Sequence, residues 1–155
     1  QVSAALLDTL LAEPFLRQPP PKSTGRDLFN PGWLQAHLAR VAAFGALAPV
    51  DVQATLAEFT ARACAADALA HAGPDPTPLW VCGGGALNTH LMRRLQDLAP
   101  TLRVASSAEH GLPPQQVEAC AFAWLARRHL QGQAGSLASV TGAAGHRVLG
   151  ALYPA

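Results

Sequence analysis

Three consecutive glycines, Gly83, Gly84 and Gly85, stand between the apolar run "PLWVC" and the helix-like stretch "ALNTHLMRRLQDLAP". Glycine frees the main chain for unusual angles and lets another molecule touch it. The helix that follows offers unpaired N–H groups and a partial positive charge, which suits phosphate. Asn88 is a natural N-cap for that helix. Two explanations stay open at this point, close helix–strand packing and a nucleotide or phosphate site. A Walker-type loop needs Gly-Lys-Ser/Thr, which is absent. Gly83, Gly85 and Asn88 give Gly-x-Gly-x-x-Asn in place of the dinucleotide fingerprint, and Ser106 and Ser107 stand where an acid is wanted. An NADP-type variant remains in play.

Glu118 is the acid whose position stands out. On a helical wheel Val117, Ala121 and Trp124 centre an apolar face, and Glu118 lies about 100° from Val117. It therefore sits at the shoulder of the buried stripe, near the positive end of its helix, where the dipole alone favours a carboxylate. Lys22 is the only lysine, in "PKSTGR" beside Ser23 and Thr24. Such a loop can grip a phosphate or a domain partner, or lie in solvent. The six histidines show no ligand spacing and there is no Cys-x-x-Cys, so no metal site is expected within this chain. Ser106, Ser107 and His110 lack a nucleophile-elbow sequence, which disfavours a hydrolase.

The elements that must position these residues read as helix, loop, helix, helix, strand, helix, strand, helix, strand. "QVSAALLDTLLAEPF" is an opening helix with no capping residue in front of it, and a proline-dense loop follows within residues 19–32. Asn30 caps a short helix with Pro31 in its first turn. The longest helix carries a stripe of Val52, Leu56, Phe59, Ala63, Ala66 and Ala70, with Glu58 and Arg62 paired on another face. Gly73 and Pro74 stop it. After the strand "PLWVC" comes a helix with Leu91, Leu95 and Leu98 inward and Arg93, Arg94 and Asp97 outward. "LRVAS" is a second strand, "PPQQVEACAFAWLARRHLQG" a helix, and "RVLGALYP" a final strand. Alternating strands and helices predict an α/β layer architecture with a partly parallel sheet.

Composition agrees with a packed domain. Of 155 residues, 50% are hydrophobic and 14% charged, which argues against disorder. Eleven basic and ten acidic residues give a net charge of +1, which disfavours a dedicated nucleic-acid surface. No apolar stretch approaches the roughly 20 residues that span a bilayer. Cys64, Cys82 and Cys120 lie far apart in apolar segments, the pattern of free buried thiols in a reducing compartment. The absence of an initiator Met and of a cap before the opening helix predicts a piece of a longer chain, missing its N-terminal side.

Taken in order, "PPKSTGRDLFN", "VCGGGALNTHLMRRL", "PPQQVEACAFAWLA" and "SVTGAAGHRVLGALYPA" resemble the C-terminal half of the anhydro-N-acetylmuramic acid kinase family, over essentially the whole chain. The resemblance implies an actin-like (ribonuclease H-like) α/β fold, in which two domains close around ATP and substrate. It implies phosphorylation of 1,6-anhydro-N-acetylmuramic acid at O6 while water opens the anhydro bridge. The product is N-acetylmuramic acid 6-phosphate, an intermediate of cell-wall recycling in the cytoplasm.

By the same resemblance, Gly83, Gly84 and Gly85 sit against the nucleotide with Asn88 ordering the turn. Glu118 faces the sugar, bonding it or orienting the attacking water, and the Lys22–Ser23 motif is supported as part of the nucleotide side. Phosphoryl transfer also needs phosphate loops, Mg²⁺ and a base. The family draws a Ser-Gly-Thr-type loop, a Gly-Gly loop and the catalytic aspartate from its N-terminal domain, and this chain has no matching motif. Residues 1–155 are therefore expected to be the C-terminal domain, inactive alone, with the absent N-terminal domain as partner and a homodimer left open. The rivals are a non-catalytic nucleotide-binding or structural α/β module and an NADP-dependent oxidoreductase fragment.

Overall fold

The computed structural model describes residues 1–74 and 78–153. The first helix, α1 (Ala4–Leu11), begins where Ser3 Oγ accepts from the Leu6 amide at 3.4 Å. The opening segment thus carries its own cap, which corrects the expectation of an uncapped start. Asn30 caps α2 (Pro31–Val41) as expected, its Oδ1 accepting from the Trp33 amide at 2.9 Å. The longest helix, α3 (Pro49–His71), ends just before Gly73 and Pro74. Thr55 joins α1 to α3, since its hydroxyl accepts from the Ser3 amide at 2.9 Å and donates to the Asp51 carbonyl at 2.7 Å. Leu6, Leu7, Leu10, Val41 and Phe59 form the core between these three helices. Phe29 packs edge-on to Trp33, with ring centroids 5.0 Å apart.

The apolar stripe foreseen along α3 holds only in its first half. Val52, Leu56 and Phe59 meet the first core, but further on the inward residues are Ala61, Ala65 and Ala68, while Ala66 and Ala70 are exposed. The helix changes partners midway. Its second half packs on α4 (Thr89–Leu98), where Ala65 joins Leu95, Ala99 and Leu102 in a second cluster.

Among the described residues the sheet has two strands, β1 (Leu79–Val81) and β2 (Val104–Ser106). They run parallel, Leu79 opposite Val104 and Val81 opposite Ser106, with α4 as the connection. Gln96 docks that helix onto β2, donating to the Leu102 carbonyl at 2.9 Å and accepting from the Val104 amide at 3.0 Å. The architecture is mixed α/β, mostly helical around a small parallel sheet.

The strand expected over residues 147–154 does not form in its described part, 147–153. Its backbone bonds elsewhere. The Arg147 amide donates to Ser136 Oγ at 3.0 Å, and the Leu149 carbonyl lies 2.9 Å from His129 Nδ1. Gly150, with φ +91°, turns the chain out of an extended path.

Helix α5 (Val117–Leu130) follows a 3₁₀ turn at Pro114–Gln116 and stops before Gly132, as foreseen. None of its residues is buried. The expected inward face is corrected in part: Val117 is half-buried, but Ala121 and Trp124 are exposed, and further along the helix touches the chain through Leu125, Arg128 and His129. A short helix, α6 (Ala138–Thr141), lies in the glycine-rich stretch beyond it. The three cysteines are free, but all are exposed, which corrects the expectation of burial. Cys120 lies on the bare helix α5 and Cys82 at the end of β1, where little of this chain covers them. No helix of the described residues is long and apolar enough to cross a membrane.

Candidate functional site

Both parallel strands point their carboxyl ends at one edge of the molecule, where open α/β sheets bind their ligands. There β1 runs through Cys82 into a 3₁₀ turn, Gly83–Leu87, and then α4. The Asn88 amide donates to the Gly85 carbonyl at 3.1 Å, and Asn88 Oδ1 accepts from the Leu91 amide at 3.1 Å. Asn88 therefore closes the turn and caps the helix, as its position predicted.

The chain itself demands a glycine at only one of the three positions. Gly83 has φ +68°, a conformation that a side chain strains. A Cβ on Gly85 would rest in ordinary contact with Leu91 at 3.5 Å and Val81 at 3.9 Å. Gly84 is exposed, its φ lies outside the left-handed region, and a Cβ there would meet nothing within 4 Å. Close helix–strand packing, one of the two explanations left open, thus accounts for none of the three.

The turn packs against Pro114–Gln116, immediately before Glu118. The three glycines and Glu118, far apart in the chain, are in this way brought to one edge. Glu118 lies in the first turn of α5 with its side chain exposed. Beside them is a cavity of about 320 Å³ lined by Trp80, Cys82, Ser107, His110, Leu112 and Val117. The Trp80 and His110 rings meet edge-on at 4.2 Å. Ser107 Oγ is buried with no hydrogen-bond partner among the described residues.

Lys22 and Ser23 are placed differently from the glycines. The Lys22 ammonium donates to the Leu16 carbonyl at 3.1 Å, lies 3.2 Å from Asp67 Oδ2, and sits over the Phe15 ring. These contacts tie the proline-rich loop to α3, and none involves the glycine turn. Ser23 is exposed beside it.

Glu58 is the residue whose importance the sequence reading missed. It is only 5% exposed, and it lies between two arginines. Arg62 Nε donates at 2.8 Å, while Arg94 of α4 forks onto both carboxylate oxygens at 2.9 and 3.0 Å. The fork turns Arg94 toward α3 and corrects its expected outward position, while its other nitrogen donates to the exposed Asp97 at 3.0 Å. The hydrogen bonds from Arg94 are the main reason that the Glu58 carboxyl is held down to about 2, against the opposing effect of burial. A carboxylate one place before the stripe's central Phe59 was the available signal.

Among the described residues, no three His, Cys, Asp or Glu side chains come together to share a metal ion. For ATP the fit is better, because the exposed glycine backbone and the helix N-terminus are of the right chemistry.

Strand, glycine-rich turn and capped helix, leading to a second parallel strand, define a mixed α/β segment with its candidate site at the strand ends. The model of the family anhydro-N-acetylmuramic acid kinase matches residues 1–155, and the chain belongs to that family. It is 63% identical over 155 residues to the anhydro-N-acetylmuramic acid kinase of Variovorax paradoxus (strain S110), covering 100% of this chain and 40% of the relative. Identity to the enzyme of the same name from Albidiferax ferrireducens is 57%, with 100% and 39% covered. For that of Cupriavidus pinatubonensis it is 55%, with 99% and 40% covered. The chain spans about 40% of the length of the curated relatives it matches. That share lends no support to the expected C-terminal placement, nor to inactivity of the segment alone.

Proposed function

We propose that this chain is the nucleotide- and sugar-facing part of an ATP-dependent kinase that converts 1,6-anhydro-N-acetylmuramic acid and water to N-acetylmuramic acid 6-phosphate. Gly84 carries the reading: nothing in the described chain demands a glycine there, and its main chain faces outward. A nucleotide laid on residues 83–85 would use that access, with Asn88 holding the turn in shape. Glu118, exposed at the same edge, would accept a hydrogen bond from the sugar or orient the attacking water. ATP supplies the phosphoryl group to O6, and water is added across the anhydro bridge.

The remaining length of the relatives would bring the phosphate loops, the Mg²⁺ ligands and the base, closing on this segment in an actin-like arrangement. That remainder would also cover the apolar surface of α5. Lys22 would join the nucleotide side only on release from Asp67, so we place it, with the exposed Ser23 beside it, in the loop that supports α3. The setting is the cytoplasm, where the sugar is recycled.

The test compares the full-length protein with this chain, each given Mg·ATP and the anhydro sugar, with sugar phosphate followed by mass spectrometry. Product from the full-length form alone, heavier by one phosphoryl group and one water, is expected. A folded full-length protein that makes no product overturns the substrate assignment, and turnover by the 155-residue chain overturns the division of labour.

A further inference from the structure

Helix α4 begins at the glycine turn, so whatever fixes α4 also fixes the turn. Leu95 is its one buried residue, and with the half-buried Leu91 and Leu98 it packs on the second core cluster, contacts that set distance but leave the helix free to rotate or slide. The remaining hold on α3 is the fork from Arg94 to Glu58, which grips both carboxylate oxygens from a planar guanidinium. Bidentate pairs of this kind specify orientation as well as distance. Arg94 stands six residues after Asn88, about 9 Å along the helix. A rotation or slide of α4 allowed at Arg94 would therefore move the Asn88 cap and the turn it closes.

We propose that Glu58 is a positioning residue for the nucleotide edge, acting through Arg94 and α4 on the Gly83–Asn88 turn. The proposal rests on the glycine turn facing the nucleotide. It assigns to a buried acid of α3, which does not touch that turn, control over nucleotide affinity and not over the chemical step. Removing its charge does not strand a cation, because the side chains of Arg94 and Arg62 are 27% and 46% exposed. The fold should therefore survive the change that loosens the turn.

The experiment has two arms. In this chain, amide hydrogen exchange is read at Asn88 and Leu91, whose N–H groups bond Gly85 O and Asn88 Oδ1. In the full-length protein, KM for Mg·ATP and kcat are measured. Glu58→Gln and Arg94→Lys, which keeps the charge but loses the fork, should each speed exchange at the two amides and raise KM for ATP by about tenfold. The kcat and the KM for the sugar should change less than about twofold, and exchange in α1 should rise less than at the two amides. Arg93→Gln, a charge removed from the exposed face of α4, should leave both arms unchanged.

Unchanged exchange at Asn88 and Leu91 in Glu58→Gln, or a rise matched equally in α1, overturns the proposal. So does a loss confined to kcat. A full-length wild type without kinase activity would sink the nucleotide reading, while the exchange arm would still decide whether the fork positions the turn.

Discussion

The two ends of this chain are built on opposite terms. Helices α1, α2 and α3 enclose their own core, with Leu6 and Leu10 fully buried and a threonine bridging two helices through the backbone. Helix α5 and the residues after it bury almost nothing. Phe122 is 63% exposed and Leu130 71%, and Leu152 and Tyr153 are more open than most polar residues need to be. Contiguous apolar surface of this kind marks a contact site. The difference teaches that the first region buries its apolar residues against one another, whereas the second leaves them open, as the proposed cover by the remaining length of the relatives requires. The candidate site lies at the seam, its glycine turn held from the packed side through α4 and Glu118 standing on the bare side.

The comparison can be broken most forcefully in the packed core. Leu10→Ala should destabilise this chain by about 3–5 kcal/mol, measured by urea unfolding. Phe122→Ala should change it by less than about 0.5 kcal/mol here, yet cost about 3 kcal/mol in the full-length protein. Equal effects of Phe122→Ala in the two forms would show that α5 is not covered by the remaining polypeptide.

Acid should separate the regions next. Glu58 is held down to about 2 by Arg94, so its folded value lies below its unfolded one. Its contribution is therefore present above pH 4.5 and is lost as pH falls toward 2, amounting to about 3 kcal/mol. Stability against pH should fall in that window for the wild type and be flatter for Glu58→Gln.

His37 gives a smaller effect in the same direction at higher pH. Burial holds the imidazole below its usual value, with Arg40 adding to the shift and Glu13 opposing it. Its ring Nδ1 lies 3.2 Å from Thr9 Oγ1 between α1 and α2. The unfolded chain takes up the proton first, so stability should decline as pH drops below 6.5, and His37→Gln should remove that slope.

The smallest effects on stability come from the glycines, and they divide. Gly83→Ala forces a side chain into the left-handed region and should cost about 1–2 kcal/mol. Gly84→Ala, with open space at the added Cβ, should cost under about 0.5 kcal/mol.

Local chemistry was legible in the sequence. Asn30 and Asn88 announced their helices because capping is decided within four residues, and Gly73 and Gly132 marked ends for the same reason. The parallel strands were legible from two short apolar runs around an amphipathic helix. The Glu58–Arg94 fork was not, because its partners are 36 residues apart and only the docking of α4 on α3 joins them. The failure at residues 147–153 has the same origin, since an apolar run becomes a strand only beside a neighbour with a free edge. The periodic apolar face of α5 was read as a buried stripe, yet no residue of the helix is buried by this chain. At the site, the chain's own order put the glycine turn and Glu118 far apart, and only the packing of the turn on Pro114–Gln116 brings them to one edge.

The central claim is that the open backbone at Gly84 serves a nucleotide. The direct measurement is the Kd of the full-length Gly84→Ala protein for Mg·ATP by calorimetric titration, beside its Tm. A Kd weakened at least about tenfold with an unchanged Tm is the predicted result. An unchanged Kd in the folded variant would contradict the claim.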